Sequence, residues 1–375
     1  MILRIEELKE ACKNILFAVD SNELSAITDT LELITKDGYL YINVTNREYF
    51  AQVRIKVDDE LDFHATVNAN LFLRLISQIT TDTVELNISD NNLLIKANGN
   101  YKLSLIFDGD KLLKLPEITI DNITTQFDIK SSILHSILNY NSKEFSKGTI
   151  SKPVQRFYYI DEQGAITFTS GACVNSFTLE KPIKLLLNSR LVKLFKLFKD
   201  ETVKFTLGYD PISDEIIQTK VKLESNDITL TAIISCDDSL INSVPVSAIR
   251  GRANNTYPYS ININKDNLLQ TINRLLLFST GSSAKEVIKP YSTFEFNKDN
   301  VTIYDVNKSN KEVIYYNNSI LEMQEPYVAL LDLTDIKTTL ETCNEQYLTI
   351  NFGDQTAIVV ARGHVNNVIP ECRMN

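Results

Sequence analysis

The sequence predicts an α+β fold assembled from three copies of one unit, and three observations carry that expectation. An amphipathic helix recurs directly before an alternating strand, the order helix, strands, helix, strands recurs along the chain, and polar, turn-rich segments separate the copies. The second half of each copy is the clearest. Residues 68–78 run into TVELNIS, NLLIKAN and YKLSLIF, and residues 188–199 into TVKFTLG, TKVKLES and ITLTAIIS. Residues 333–343 run into QYLTINF and TAIVVAR. Apolar positions three and four apart mark the helices, and period-two alternation marks the strands.

The first halves repeat as well. Residues 5–19 place Leu8, Cys12, Ile15, Leu16 and Val19 on one helical stripe. Residues 129–138 do so with Ile129, Ile133, Ile137 and Leu138, and residues 264–279 with Leu268, Leu269, Ile272, Leu275 and Leu276. Each is followed by a strand region: YLYINVTN, AITFTSG and VTIYDVN. The unit is about 120 residues long and is itself a pseudo-duplicate. Boundaries at the polar stretches 116–124 and 250–256 give domains 1–122, 123–250 and 251–375. A generic α+β protein with alternating elements is the plainer alternative, but it does not explain three recurrences in one order.

Composition bounds the function. A chain of 375 residues with 43% hydrophobic content can bury several cores, and 23% charged residues exclude wholesale disorder. No apolar run reaches the length of a membrane span, and charges in MILRIEELKEA count against a signal peptide, so a cytoplasmic protein is expected. The cysteines, Cys12, Cys173, Cys236, Cys343 and Cys372, lie far apart, as reduced thiols do, and neither a metal nor another cofactor is expected. Only 11 glycines argue against a glycine-rich nucleotide fold. A net charge of −10 speaks against nucleic acid unless one face is basic.

Residues 188–199 supply such a face. Leu191, Leu194, Phe195 and Phe198 share one side of a helix, while Arg190, Lys193, Lys196 and Lys199 fan across the other. No acid interrupts the four cations, although like charges at this spacing repel. The face either turns toward a polyanion or is merely solvated. Arg74, Arg274 and Lys337 lie opposite or beside the apolar stripe of their own helices, whereas the first helix mixes Glu6, Glu7 and Glu10 with Lys9 and Lys13. His64, His135 and His364 are isolated, no HxxEH, GxSxG or P-loop spacing occurs, and adjacent acids such as Asp58/Asp59 and Asp237/Asp238 fall in loops. Nothing assembles into a catalytic site.

These residues resemble the bacterial β sliding clamp family, the processivity subunit of DNA polymerase III. The likeness covers the whole chain: the threefold repeat, the opening RIEELKEACKNILFAV, the segments ITFTSGACVNSFTL and PIKLLLNSRLVKLFKLF, and the closing VVARGHVNNVIPECRM. Departures are present. The middle domain reads ACVNSFT where clamps carry a DGHRLA-like turn, a customary proline is replaced near Leu240 and Ile241, and Glu371 and Cys372 lengthen the tail. They suggest a divergent member, of phage or mobile-element origin.

The resemblance implies a clamp fold, with helices lining a ring and antiparallel sheets outside, and a function without catalysis. A head-to-tail homodimer would encircle duplex DNA without sequence specificity and tether the replicative polymerase. Six helices spaced about 10 Å apart enclose a hole of only about 19 Å, whereas twelve enclose about 38 Å, enough for a duplex and a water layer. Polymerase and clamp loader would attach through short peptide motifs. Matching the family's pocket residue by residue puts Val154, Val174, Asn175 and Phe177 on one wall, and Val368, Ile369, Pro370 and Met374 on the other. Tyr101, Leu103, Leu277 and Phe278 match its dimer interface. A clamp-like scaffold that recruits repair or recombination proteins, and an enzyme with a scattered site, are the competing readings.

Overall fold

The computed structural model describes residues 1–19, 27–57, 62–141, 150–211, 217–234, 237–278, 290–305, 307–320 and 325–372. Two compact units share the chain: Met1–His135 with Arg190–Ser235, and Ser136–Ser189 with Cys236–Asn375. Among the described residues no helix is long and apolar enough to cross a membrane.

The first unit is organised by an eight-stranded antiparallel sheet. Its order is Ile123–Lys130, Thr202–Pro211, Ile217–Glu224, Ile228–Ile234, Tyr49–Lys56, Tyr39–Thr45, Thr30–Lys36, His64–Asn68. Because successive side chains alternate between faces, the register sorts them. Ala65, Leu33, Ile42, Val53 and Ile228 form an apolar row, and Thr66, Glu32, Asn43, Gln52 and Thr229 form a polar row on the other face. Helices Ile5–Ile15 and Ala69–Gln78 pack together and bury their apolar stripes. A second sheet of four strands runs Ile2–Arg4, Thr83–Ser89, Asn92–Lys96, Asn100–Ser104.

The second unit repeats this plan. Its large sheet is ordered Lys184–Asn188, Phe157–Asp161, Gly164–Phe168, Ala172–Ser176, Val365–Pro370, Ala357–Arg362, Tyr347–Phe352, Tyr259–Asn264, Asn318–Ile320. Its small sheet is Lys311–Tyr315, Asn300–Tyr304, Tyr291–Phe296, Tyr327–Asp332. Helices Lys265–Leu276 and Leu333–Thr342 pack as a pair. The repeats even share a cap: Asn68, Asn264 and Asp332 each accept a hydrogen bond from a first-turn backbone N–H, which satisfies one of that helix's orphan donors.

Contacts divide the chain differently from the repeats read in the sequence. Strand Ile228–Ile234 pairs with Tyr49–Lys56, and Ala172–Ser176 with Val365–Pro370. Each large sheet thus fuses strands from successive repeats, and residues 123–250 contribute to both units.

The structure also corrects several helices. Residue 188 closes a strand, the α-helix spans only Ser189–Lys193, and Leu194–Leu197 winds as a 3₁₀ turn. The sequence does carry the reason. Lysines fall at 193, 196 and 199, a period of three, and six apolar residues between 191 and 198 are all buried. Ile129 belongs to strand Ile123–Lys130, and the helix Ser131–Ser136 ends in a π turn, Ile137–Asn141, with Leu134 buried in place of Ile133. Helix Ile5–Ile15 tightens into a 3₁₀ turn, Leu16–Ala18, which leaves Leu16 exposed and buries Ala18. Ser279 lies outside the described residues.

The segment leading out of the first repeat is fastened to the large sheet of its unit. Asp210 accepts hydrogen bonds from the backbone N–H groups of Asp121 and Asn122 and forms an ion pair with Lys220 at 2.9 Å. Lys220 also donates to the Thr119 carbonyl at 2.8 Å. Gly208 makes the close approach possible, since a Cβ there would sit 2.1 Å from Ile120 and 2.7 Å from the Asn122 carbonyl. Gly208→Ala is expected to cost about 1–3 kcal/mol through overpacking, read as a lower urea midpoint with an unchanged slope.

Candidate functional site

The cationic face is built from the short helix and 3₁₀ turn of residues 189–197. Lys193, Lys196 and Lys199 are exposed at the helix end, within the 3₁₀ turn and just beyond it. Lys196 lies 5.8 Å from the Phe17 ring centroid. Lys199 forms an ion pair with Glu10 at 2.5 Å, and this hydrogen bond holds the Glu10 carboxyl below the usual carboxylate range. Arg190 is half-buried, 3.8 Å from Glu48. Acids distant in sequence therefore partner two of the four cations.

Arg74 is exposed on helix Ala69–Gln78. Together with Lys9 and Lys13 it rims a cleft of about 300 Å³ between this helix and Ile5–Ile15, floored by Cys12, Leu16 and Leu73. Burial pushes the Cys12 thiol far above its ordinary range, so it is a packing residue rather than a nucleophile. Sequence reading dismissed the outward face of the first helix as mixed. The missed signal is the i,i+4 spacing of Lys9 and Lys13. In the second unit the two candidates are neutralised: Arg274 forks onto Glu312 at 2.7 and 2.5 Å, and Lys337 lies 4.0 Å from Glu341.

The residues assigned to a peptide pocket separate by face. Val154, Val174 and Val368 join one apolar cluster with Ala172, Ile241 and Val244, rimmed by half-buried Leu240, Val246 and Tyr257. Pro370, half-buried, lies on the same side of its strand as Val368, two residues away. Ile369 points through the sheet into the other core. Asn175 also faces away: fully buried, it donates to Ser136 at 2.9 Å and to Asn141 at 3.2 Å. Phe177 is half-buried beyond the strand end, and Met374 lies outside the described residues.

Sequence reading took residues 250–256 for a boundary loop and missed the elements that complete this cluster. Helices Asp238–Asn242 and Val246–Ala253 supply Ile241 and Ala253 to it, with Val244 between them. The signals were the Asp237 cap, Pro245 before the second helix, and apolar positions three and four apart. Arg250 locks the second helix by a bidentate contact to Asp161 at 2.6 and 2.7 Å, which raises its own pKa. Burial, with Asp161 nearby, pushes the Tyr159 hydroxyl up to about 12.

The residues assigned to ring closure lie at sheet and helix ends. Tyr101 and Leu103 sit on Asn100–Ser104, which ends the small sheet of the first unit; Leu103 is buried and Tyr101 half-buried. Leu277 and Phe278 are 71% and 51% exposed just beyond helix Lys265–Leu276. The small sheet of the second unit likewise ends in Lys311–Tyr315, whose Val313 and Tyr315 are exposed.

Comparison with known proteins bears on this architecture. No family model matches the sequence. Over 122 residues, 32% of this chain and 31% of the relative, the chain is 30% identical to a beta sliding clamp of Mycoplasmopsis pulmonis. Its fold matches a DNA polymerase III subunit beta of Pseudomonas aeruginosa with a TM-score of 0.78, at 12% identity and full coverage of both chains. The DNA polymerase sliding clamp of Bacillus subtilis matches with a TM-score of 0.76, at 13% identity, over 100% of this chain and 99% of that one. The chain has the fold of these clamps over its full length, and its sequence likeness to the Mycoplasmopsis pulmonis clamp spans about a third of each chain.

The start of the carboxyl tail is docked beside the apolar cluster. Glu371 and Cys372 donate backbone N–H groups to Thr356 and Leu330, and the Glu371 carboxyl accepts from the Tyr327 hydroxyl at 2.7 Å. Burial raises the Glu371 pKa despite that hydrogen bond, with Asp354 adding to the rise. A raised folded-state pKa makes docking favourable below the unfolded value and progressively lost as pH climbs through the folded one. Protection of the Cys372 amide, corrected for intrinsic exchange, should decline over that window and stay flat in Glu371→Gln.

Proposed function

We propose that the chain is a DNA sliding clamp, two copies closing head to tail around duplex DNA to tether a polymerase. The observation that carries this reading is a joint used twice within the chain. Each repeat has a first sheet and a second sheet, and one edge strand of each is a joining strand: the third strand of the first sheet and the last of the second. The second sheet of the middle repeat joins the first sheet of the first repeat through Ile228–Ile234 and Tyr49–Lys56. Likewise the second sheet of the last repeat joins the first sheet of the middle one through Val365–Pro370 and Ala172–Ser176.

Among the described residues, two joining strands remain without a counterpart in this scheme: Asn100–Ser104 in the first repeat and Lys311–Tyr315 in the last. Sheet edges are templates for pairing. Repeating the same joint between two chains, twice, closes a ring of six repeats with two-fold symmetry. The helix ends follow suit. In the first unit the turn Leu16–Ala18 packs beside Leu194–Leu197, next to the joint. Counted from their helix starts, Leu277 and Phe278 occupy the positions of Phe17 and Ala18, so they would buttress the intermolecular joint.

The mechanism needs no bond chemistry. Topology holds the ring on DNA, while Lys193, Lys196 and Arg74 attract phosphates without reading bases, which permits sliding. Polymerase and loader would insert apolar anchors of an extended peptide at the rim of Leu240, Val246 and Tyr257, over Val174 and Val368. The closed ring, the three domains as separate entities and the tethered polymerase are all parts of this proposal.

Two experiments test it. Leu277→Ala with Phe278→Ala should yield a folded monomer by analytical ultracentrifugation at micromolar concentration, because truncating buried anchors costs several kcal/mol of association; a persistent dimer refutes the joint. Replacing Lys193, Lys196 and Lys199 by Ser should weaken duplex binding severalfold and flatten its salt dependence, since each neutralised phosphate adds about 0.9 to the slope. An unchanged slope would assign that edge to solvent.

A further inference from the structure

The polar face of the first unit's large sheet carries a trough of about 540 Å³ that neither clamp closure nor DNA contact uses. Its floor comes from alternate residues of three adjacent strands. Glu32, Asn43 and Gln52 stand in one row across the sheet, flanked by Tyr41 on one side and Phe50 on the other. Residues 114–117 form the roof. One end of the roof is held where Thr66 donates to the Leu113 carbonyl at 2.6 Å, and the other leads into the segment fastened by Asp210. Leu115 is buried beneath it. The space is thus pre-formed, within the usual size range of small-molecule sites.

Its deep end is chemically unusual. Glu32 is only 2% exposed, and among the described residues no lysine or arginine pairs with it. One carboxylate oxygen accepts from the Asn43 amide at 2.9 Å, and the other meets His64 Nε2 at 2.9 Å. Each oxygen can accept two hydrogen bonds, so the carboxylate can serve a further pair of donors. At the mouth stand two exposed lysines, Lys36 and Lys114, and one exposed acid, Glu117. Lys36 lies four residues along the strand from Glu32, about 13 Å by strand rise. A buried carboxylate with amides, an aromatic surface and distant cations is an arrangement for one compact ligand that is donor-rich at one end and anionic at the other.

We propose that the trough binds a guanine nucleotide. Guanine offers two parallel N–H donors on its base-pairing edge, which a carboxylate accepts bidentately; adenine presents an acceptor there and would leave Glu32 facing a lone pair. Half-buried Tyr41 contacts the base, as aromatic side chains do for unstacked bases, and buried Phe50 closes the floor. Lys36 and Lys114 take the phosphate. The same chemistry could come from a free nucleotide or from an unpaired guanine in a single strand, and the two sources are separable.

The test is calorimetric titration of the full-length protein with GMP, guanosine, AMP and a pentanucleotide holding one central guanine. GMP should saturate below millimolar concentration, with AMP at least tenfold weaker, because a site built to pair a donor edge rejects the analogue that lacks it. Glu32→Gln should lose at least tenfold for GMP. Lys114→Ala, an exposed position that leaves folding intact, should lose severalfold for GMP and nothing for guanosine, so the test stands even if Glu32→Gln unfolds. Tighter binding of the pentanucleotide than of GMP assigns the source to single strands, and the reverse assigns it to free nucleotide. Equal affinity for AMP and GMP, no saturation at millimolar GMP, or an unchanged Lys114→Ala overturns the proposal.

Discussion

Everything in this structure depends on one constraint: a sheet edge must be paired or protected. Four strands closed at neither end would leave backbone donors and acceptors open to any passing chain. The repeats meet this need by joining edge to edge. Strands Tyr49–Lys56 and Ile228–Ile234 make one eight-stranded layer from two halves, and Ala172–Ser176 with Val365–Pro370 make another. The joints tie segments far apart in sequence, so each compact unit contains pieces of the middle repeat. Repeats describe the order of elements along the chain, and units describe where its contacts lie.

That distinction explains what the sequence could disclose. Periodicity is local, and the alternating hairpins and the stripes of helices 5–15, 69–78, 265–276 and 333–342 emerged with only small errors at their ends. Pairing between repeats is non-local and leaves no signature beyond alternation, so the joints were not legible in the sequence. The errors that did occur have physical causes. Residues 188–199 were read at 3.6 residues per turn, while their lysines keep a period of three. Asp237 and Asp238 were placed in a loop and residues 250–256 at a boundary, because each helix there is short and one carries Gly251 and two arginines among few apolar positions.

The candidate site was legible by residue type and less so by direction. A one-residue step along a strand moves a side chain to the opposite face. Val368 and Ile369 are neighbours in sequence yet belong to different cores, and Val174 and Asn175 part in the same way. Matching a motif residue by residue cannot resolve this, because the motif gives positions and the sheet decides faces. Charge behaved similarly. Lys199 and Arg190 looked unopposed until folding brought Glu10 and Glu48 beside them, whereas Lys9, 4.0 Å from Glu6, and Lys13 rim a cleft despite the nearby acids.

The resulting electrostatics suit a loose grip better than a tight one. An uninterrupted row of unpaired cations would hold phosphates directly, and each fixed contact would have to break for the protein to move along DNA. Here acids of the same unit temper the cationic edge, and in the second unit Arg274 and Lys337 are paired outright. Exposed ion pairs of this kind contribute little to stability, so their value lies in the field they shape. A chain with ten more acids than bases can therefore keep a weakly attractive surface toward DNA, provided that retention comes from encirclement and not from affinity. In the ring proposed above, the strand joints that would allow encirclement would also permit the charge to stay so moderate.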